Sequence, residues 1–149
     1  MASGYPPPSG GNEMILTDLH IHSCLSPCAD DTMTPAAIVK AAKEAGLELI
    51  AITDHNSARN CPAVAAEAEK AGIGFIPGIE VTTSEEIHCV CLLPDLGKAA
   101  AFSRWLDTLR PGIANRPNVF GRQTVIGSRG SRTEERELLF MARRISVNE

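Results

Sequence analysis

Apolar and polar positions along this chain switch between strand-like and helix-like spacing. MILTDLHI (14–21) reads as a short strand ending near Ile21. Thr34-Pro35 then opens a helix, with Thr at the N-cap and Pro at the first helical position. Ile38, Ala41, Ala42 and Ala45 share one face of it, and Gly46 closes it. LELIAIT (47–53) is a continuous apolar run of strand length, and PAVAAEAEKAG (62–72) is a second Pro-first, Gly-last helix. GFIPGIEVTT (74–83) and IHCVCLLP (87–94) are further extended stretches, and a helix is expected across roughly 99–109. Strand, helix, strand, helix, strand predicts an α/β fold with a parallel sheet under covering helices. The apolar strands agree, because parallel strands are buried on both faces. Such sheets place their chemistry at the carboxyl ends of the strands.

Beyond residue 109 the pattern thins. Scattered Gly, Pro and Arg surround VFGRQTVIG (119–127). Ser131-x-x-Glu134 has the spacing of a capping box, which predicts a last helix through TEERELLFMARR (133–144). SVNE then stops without a cap or a closing strand, so the domain is expected to be incomplete at its C-terminus. Residues 1–13, opening MASGYPPPSGGN, are expected to form a disordered tail. The domain is therefore placed over 14–149.

Composition narrows the choices. A chain of 149 residues, 44% apolar and 21% charged, suits one globular domain and excludes disorder throughout. No apolar run approaches the about 18 residues of a membrane span, and no secretory signal opens the chain. Fourteen basic against 18 acidic residues leave a net charge of -4. That argues against an extended nucleic-acid surface and leaves a phosphorylated small molecule or a nucleotide as partner. The five cysteines (24, 28, 61, 89 and 91) do not cluster as a disulfide framework. They are read as reduced thiols in a cytoplasmic protein.

The histidines carry the chemical signal. His20 and His22 lie two apart at the end of the first strand, so their imidazoles project from one face. Two adjacent imidazoles suit a divalent ion, although two solvated histidines at a strand end are the blander reading. The second strand ends Asp54-His55, with a turn capped by Asp54 as the alternative reading. Glu80 lies within an apolar strand and needs either a metal or a cationic partner. Metal is preferred, because no Lys or Arg occurs in 71–97. His88 opens the fourth strand, with Cys89 and Cys91 expected on its opposite face. All four histidines lie at or beside strand termini, as do Glu80 and Asp54, so a shared metal site is expected. The loop CLSPCADD (24–31) adds Asp30 or Asp31 as an oxygen ligand, and the imidazole and carboxylate mix suits Zn, Mn or Fe. Cys24 and Cys28 lack a second pair for a separate zinc knuckle, and their spacing is not that of a redox CxxC.

Asp18-Leu19-His20-Ile21-His22-Ser23, followed by Ser26-Pro27-Cys28 and Met33-Thr34-Pro35, resembles the first motif of the PHP (polymerase and histidinol phosphatase) family. Ile52-Thr53-Asp54-His55-Asn56 resembles its second motif, and Pro77-Gly78-Ile79-Glu80-Val81 with Glu86-Ile87-His88 its third. The resemblance implies the first half of a distorted (β/α)7 TIM-like barrel, with up to three divalent ions at the carboxyl ends of its strands. It implies His20 and His22 on one ion, Glu80 bridging to a second, and Asp30, His55 and His88 completing the set. Asp54 is implied to orient His55 or a water. The family's later ligands, a Pro-Ala-His segment and an Asp-x-His, have no counterpart here, since no histidine follows His88.

The expected function is a metal-dependent phosphoesterase, a phosphatase or a phosphodiesterase and 5'-3' exonuclease on nucleotide-type substrates, with Arg59 available to steady a phosphate. The alternative is a non-catalytic or truncated PHP module with a structural or interaction role. A half-barrel would leave strand edges unpaired, which self-association could cover. A thiol-based redox or metal sensor ranks last.

Overall fold

The computed structural model describes residues 14–127 and 129–148. The tail expected over 1–13 lies outside the described residues. Four strands form one sheet in chain order: β1 (Thr17–Ile21), β2 (Leu49–Ile52), β3 (Gly74–Thr82) and β4 (His88–Leu92). Helix α1 (Pro35–Glu44) joins β1 to β2, and α2 (Cys61–Ala71) joins β2 to β3. β1, β2 and β3 run parallel, with Asp18 beside Ile50 and Ile52 beside Pro77. α3 (Leu96–Asp107) follows β4, and α4 (Pro117–Phe120), β5 (Thr124–Ile126) and β6 (Arg132–Glu134) complete the chain.

The helix signals act as the sequence implies. The Thr34 hydroxyl accepts from the Ala37 amide at 3.3 Å, which satisfies one of the free donors at the start of α1. Gly72 ends α2 in the left-handed conformation, at φ +69°. Ile38, Val39 and Ala42 of α1 and Val64 and Ala68 of α2 pack with Ile50, Ile52, Ile79 and Val81 of the sheet into one core. β1 is the exposed edge, and Met14, Ile15 and Leu16 before it face solvent.

Three expectations are corrected. β4 is antiparallel to β3, not a further parallel strand. Only residues 83–87 separate the two, whereas a parallel crossover needs a dozen residues or more. The chain therefore turns back as a hairpin, with the Thr83 amide donating to the Ile87 carbonyl at 3.0 Å and Glu86 at φ +61°. The helix expected from residue 99 starts at Leu96, because Asp95 caps it by accepting from the Lys98 amide at 2.7 Å.

The third correction is the helix expected over 133–144. Its first residues form β6, antiparallel to β5, and the rest is irregular. The backbone donors of this stretch are taken by distant partners. Glu135 donates to the Gln123 carbonyl, Leu138 to that of Ile113, and Arg143 to that of Thr82. Leu139 donates to the Gln123 side chain at 2.8 Å. These tertiary bonds replace the i→i−4 ladder that the local sequence favours.

Candidate metal centre

The parallel register brings the ends of β1, β2 and β3 to one edge of the sheet. His55 and Glu80 form an isolated parallel bridge just beyond β2, with the Asn56 amide donating to the Glu80 carbonyl at 2.9 Å. In the hairpin His88 pairs with Thr82, two residues beyond Glu80, so both side chains lie on one face. The two-residue period of β1 brings His20 and His22 to the same point.

Glu80 is the hub. Its Oε2 lies 3.0 Å from His20 Nε2, 2.8 Å from His22 Nε2 and 3.7 Å from His55 Nδ1, and its Oε1 lies 2.8 Å from His88 Nδ1. Burial works to raise the Glu80 carboxyl, but the bonds from His20 and His88 and the nearby His55 and His22 outweigh it and hold it below the usual value. His55 is buried, and loss of water together with the neighbouring His22 ring lowers it to about 4, so it is neutral at pH 7. Phe140 packs edge-on against His55, with ring centres 4.9 Å apart, and against His88 at 5.6 Å.

Behind the imidazoles lies a buried polar layer. Asp54 is fully buried and accepts from the Ser23 amide at 2.7 Å, the Ser23 hydroxyl at 2.6 Å and the Ser26 hydroxyl at 2.7 Å. Burial raises the Asp54 carboxyl, and these donors oppose the shift. Ser26 Oγ also meets His22 Nδ1 at 3.0 Å and accepts from the His55 amide at 3.1 Å. A hydroxyl has one proton, and here it goes to Asp54. Ser26 therefore accepts from His22 Nδ1, so that in the neutral ring the Nε2 lone pair faces Glu80. Asn60, also fully buried, donates to Ser23 Oγ at 2.9 Å.

The expected site residues divide into two sets. His20, His22, His55, Glu80 and His88 come together at the strand ends. Asp30, Asp54 and Arg59 do not join them. Asp30 is exposed, and its carboxylate accepts from the Thr32 amide at 2.7 Å, so the loop turns it outward. Asp54 touches serines rather than the His55 ring, and reaches His22 only through Ser26. Arg59 pairs with Asp107 at 2.9 Å and with Glu135, inside a network that includes Arg110 and Glu137. Two carboxylates already hold its guanidinium. Cys89 and Cys91 alternate with His88 on the more buried face of β4, and Cys91 packs on the core. All five cysteines are unpaired.

Sequence reasoning missed Ser26 and Cys28 as parts of the site. Cys28 Sγ lies 3.3 Å from His55 Nε2. The Ser-Pro-Cys turn that aims both residues has no periodicity, although its place directly after His22 was a usable signal.

The donor atoms fit divalent ions. Three groups converge: His20 with His22 and Glu80, His55 with Glu80 and His88, and His22 with Cys28 and His55, each with its ligand atoms within 4.8 Å of one another. Tetrahedral zinc at ordinary bond lengths spaces its nitrogen and sulfur ligands roughly 3.3–3.6 Å apart. The 3.2 Å between His20 Nε2 and His22 Nε2, and the 3.3 Å from Cys28 to His55, are close to that. Two orphaned features also ask for a cation. The His22 lone pair faces a carboxylate, and buried His55 Nδ1 has no hydrogen-bond partner.

A model of the PHP domain matches residues 18–143. The chain belongs to the PHP domain family. Among curated PHP relatives, the 5'-3' exoribonuclease Rnm of Salmonella typhimurium is 35% identical over 97 residues, 62% of this chain and 32% of the relative. The 3',5'-nucleoside bisphosphate phosphatase of Chromobacterium violaceum is 33% identical over 107 residues, 70% of this chain and 36% of the relative. An uncharacterised protein of Methanocaldococcus jannaschii is 30% identical and matches over 69% of this chain and 67% of its own length. The PHP chain thus spans about a third of the length of the first two relatives. A solved Chromobacterium violaceum amidohydrolase, with bound sulfate and no metal, is 32% identical with a TM-score of 0.51, covering 62% of this chain and 33% of that one. A solved Bifidobacterium adolescentis protein shares the fold at 22% identity and a TM-score of 0.51, covering 66% of this chain and 35% of that one. None of the described helices is long and apolar enough to cross a membrane.

Proposed function

We propose that this PHP domain belongs to a metal-dependent hydrolase of phosphate esters with nucleotide-type substrates. The observation that carries the reading is Glu80, set among four imidazoles with the His22 lone pair turned toward it. The names of the exoribonuclease and bisphosphate phosphatase relatives support the substrate class. His20, His22 and Glu80 would hold one ion, and His55, Glu80 and His88 a second. Zn, Mn and Fe all suit this donor set. Bound ions would supply neutralisation of phosphate charge and a water acidic enough to attack phosphorus near neutral pH.

The chain's own groups hold and orient. Glu80, with Oε2 toward His20 and His22 and Oε1 toward His88, would serve both positions. Ser26 keeps the His22 proton on Nδ1 and so presents Nε2 as a ligand. Asp54 keeps the Ser26 proton directed away from His22, which makes it a positioning residue. Phe140 covers one side of His55 and His88 and limits access of water there. The four strands would form the first part of a (β/α)7 barrel whose domain begins near residue 14.

The test is the metal content of the purified chain by elemental analysis, with hydrolysis of an aryl phosphate monoester, an aryl phosphate diester and adenosine 3',5'-bisphosphate in added Mn. Bound metal with turnover is the expected result. Replacing His20 and His22 together with alanine should remove the ion they would hold with Glu80, and turnover with it. Turnover that survives the double substitution would overturn the metal reading. A native chain with neither metal nor turnover would leave a non-catalytic PHP module.

A further inference from the structure

We infer that Cys28, rather than Asp30, is this chain's own loop ligand, and that it draws His22 and His55 into a sulfur-containing metal position suited to a thiophilic ion such as Zn, an alternative to their places beside Glu80 because each neutral imidazole has one lone pair. The inference rests on the metal-centre reading and adds a ligand to it. Cys28 Sγ lies 3.3 Å from His55 Nε2, and Sγ and one nitrogen from each imidazole lie within 4.8 Å of one another. His55 is 3% exposed; its Nδ1 faces Glu80 at 3.7 Å and its Nε2 faces the Cys28 sulfur, so with the ring proton on Nδ1 the Nε2 lone pair is free to bind a metal beside Cys28.

The loop is built to aim the sulfur. Ser26 donates its amide to the Ser23 carbonyl at 2.9 Å, and Ala29 donates to the Ser26 carbonyl at 3.0 Å. These two turns bracket Pro27-Cys28. The Ser26 hydroxyl, bonded to Asp54, His22 and the His55 amide, fixes the start of the turn to the two histidines. Asp30 is turned away by its bond to the Thr32 amide.

A thiolate changes which ions the position accepts. Soft sulfur with two imidazoles favours Zn over Mn or Mg, whereas an oxygen ligand would relax that preference. Binding also releases the thiol proton, because a coordinated cysteine is a thiolate.

The experiment is cobalt loading of the full chain, followed by near-ultraviolet absorption. A sulfur-to-cobalt charge-transfer band is expected, and it should vanish in Cys28→Ser while cobalt at the other positions remains. In parallel, iodoacetamide labelling is read peptide by peptide. Zn should protect Cys28, and a chelator should restore its labelling. Cys28→Asp should retain metal but lose the preference for Zn over Mn. Cobalt bound without the band, a band that survives Cys28→Ser, or Cys28 labelling indifferent to Zn would each overturn the inference and leave the His and Glu80 positions standing. A chain that binds no cobalt would overturn both readings together. Cys28 is exposed, so none of these substitutions opens the core.

Discussion

At the scale of single residues, the protonation of one hydroxyl decides what the centre can bind. Ser26 gives its proton to Asp54 and accepts from both His22 and the His55 backbone. Ser26→Ala leaves a buried carboxylate short of a donor and frees the His22 ring to change tautomer. The expected loss is about 1–3 kcal/mol of stability, read from urea unfolding of the metal-free chain. Groups that orient ligands from behind typically contribute roughly 10–100-fold in metal affinity. A competition titration against a chelator should show a loss of that order in Ser26→Ala, and unchanged affinity would refute the assigned tautomer. The histidines and Glu80 were legible in the sequence because strand spacing fixes which face a side chain takes. Cys28, Asp30 and Arg59 were not, because the first two lie in a loop without periodicity. Arg59 was lost to carboxylates at residues 107 and 135, far from it in sequence.

At the scale of elements, the sheet depends on a residue without a side chain. Gly78 lies on β3 between β2 and β4, and a Cβ there would come within 2.9 Å of Thr53 Cγ2, 3.0 Å of the Ile52 carbonyl oxygen and 3.1 Å of the Cys91 carbonyl oxygen. Two of these neighbours are backbone and cannot swing aside. Gly78→Ala should cost about 1–3 kcal/mol, and a smaller shift in urea midpoint would mean that β4 lies farther from β2 than described. Helix α2 adds a pH dependence. Burial raises the Cys61 thiol from 9.0 to about 12, while in the unfolded chain it ionises at its ordinary value. The folded state thus holds more protons above pH 9, and stability present below that value is lost as pH rises toward 12. Burial raises the Cys24 thiol in the same direction. The urea midpoint should fall between pH 8 and pH 10.5, and fall less in Cys61→Ala, each variant being referred to its own value at pH 8. The parallel β1, β2 and β3 and their helices were legible from punctuation by Pro and Gly. The direction of β4 was legible too, since the short link between β3 and β4 leaves no room for a crossover, but only when linker length is weighed against strand pattern.

At the scale of the whole molecule, residues 110–127 and 129–146 act as a strap across the edge of the sheet that bears the metal centre. Gln123 and Asn56 fasten it, and both are fully buried. Gln123 donates to the Glu137 carbonyl at 2.8 Å and accepts from the Leu139 amide at 2.8 Å. Asn56, one residue past His55, donates to the carbonyls of Leu139 at 2.7 Å and Met141 at 3.2 Å, and accepts from the Thr82 amide at 3.0 Å. Its φ of +52° is a conformation that Asn adopts more readily than most residues. The strap carries Phe140 onto His55 and His88, and Arg143, buried behind it, donates its amide to Thr82. A local helix over 133–144 would break these bonds, which is why the capping-box spacing misled and why no reading of that stretch alone would have found the strap. Asn56→Ala removes the side-chain bonds to Leu139 and Met141 that hold the last part of the strap, while Arg59 and Asn60 still tie its earlier part to Glu135, Thr124 and Ile126, and β1, β2, β3 and their helices keep their own core. The strap beyond Leu138 should then open without the sheet. In native buffer, trypsin should cut the Asn56→Ala chain after Arg143 and Arg144 faster than the far-ultraviolet signal is lost. In the wild-type chain, cleavage there should wait for global unfolding. Equal cleavage in both chains would show that the strap is held from elsewhere. Simultaneous loss of cleavage resistance and far-ultraviolet signal in Asn56→Ala would show instead that strap and sheet are one cooperative unit.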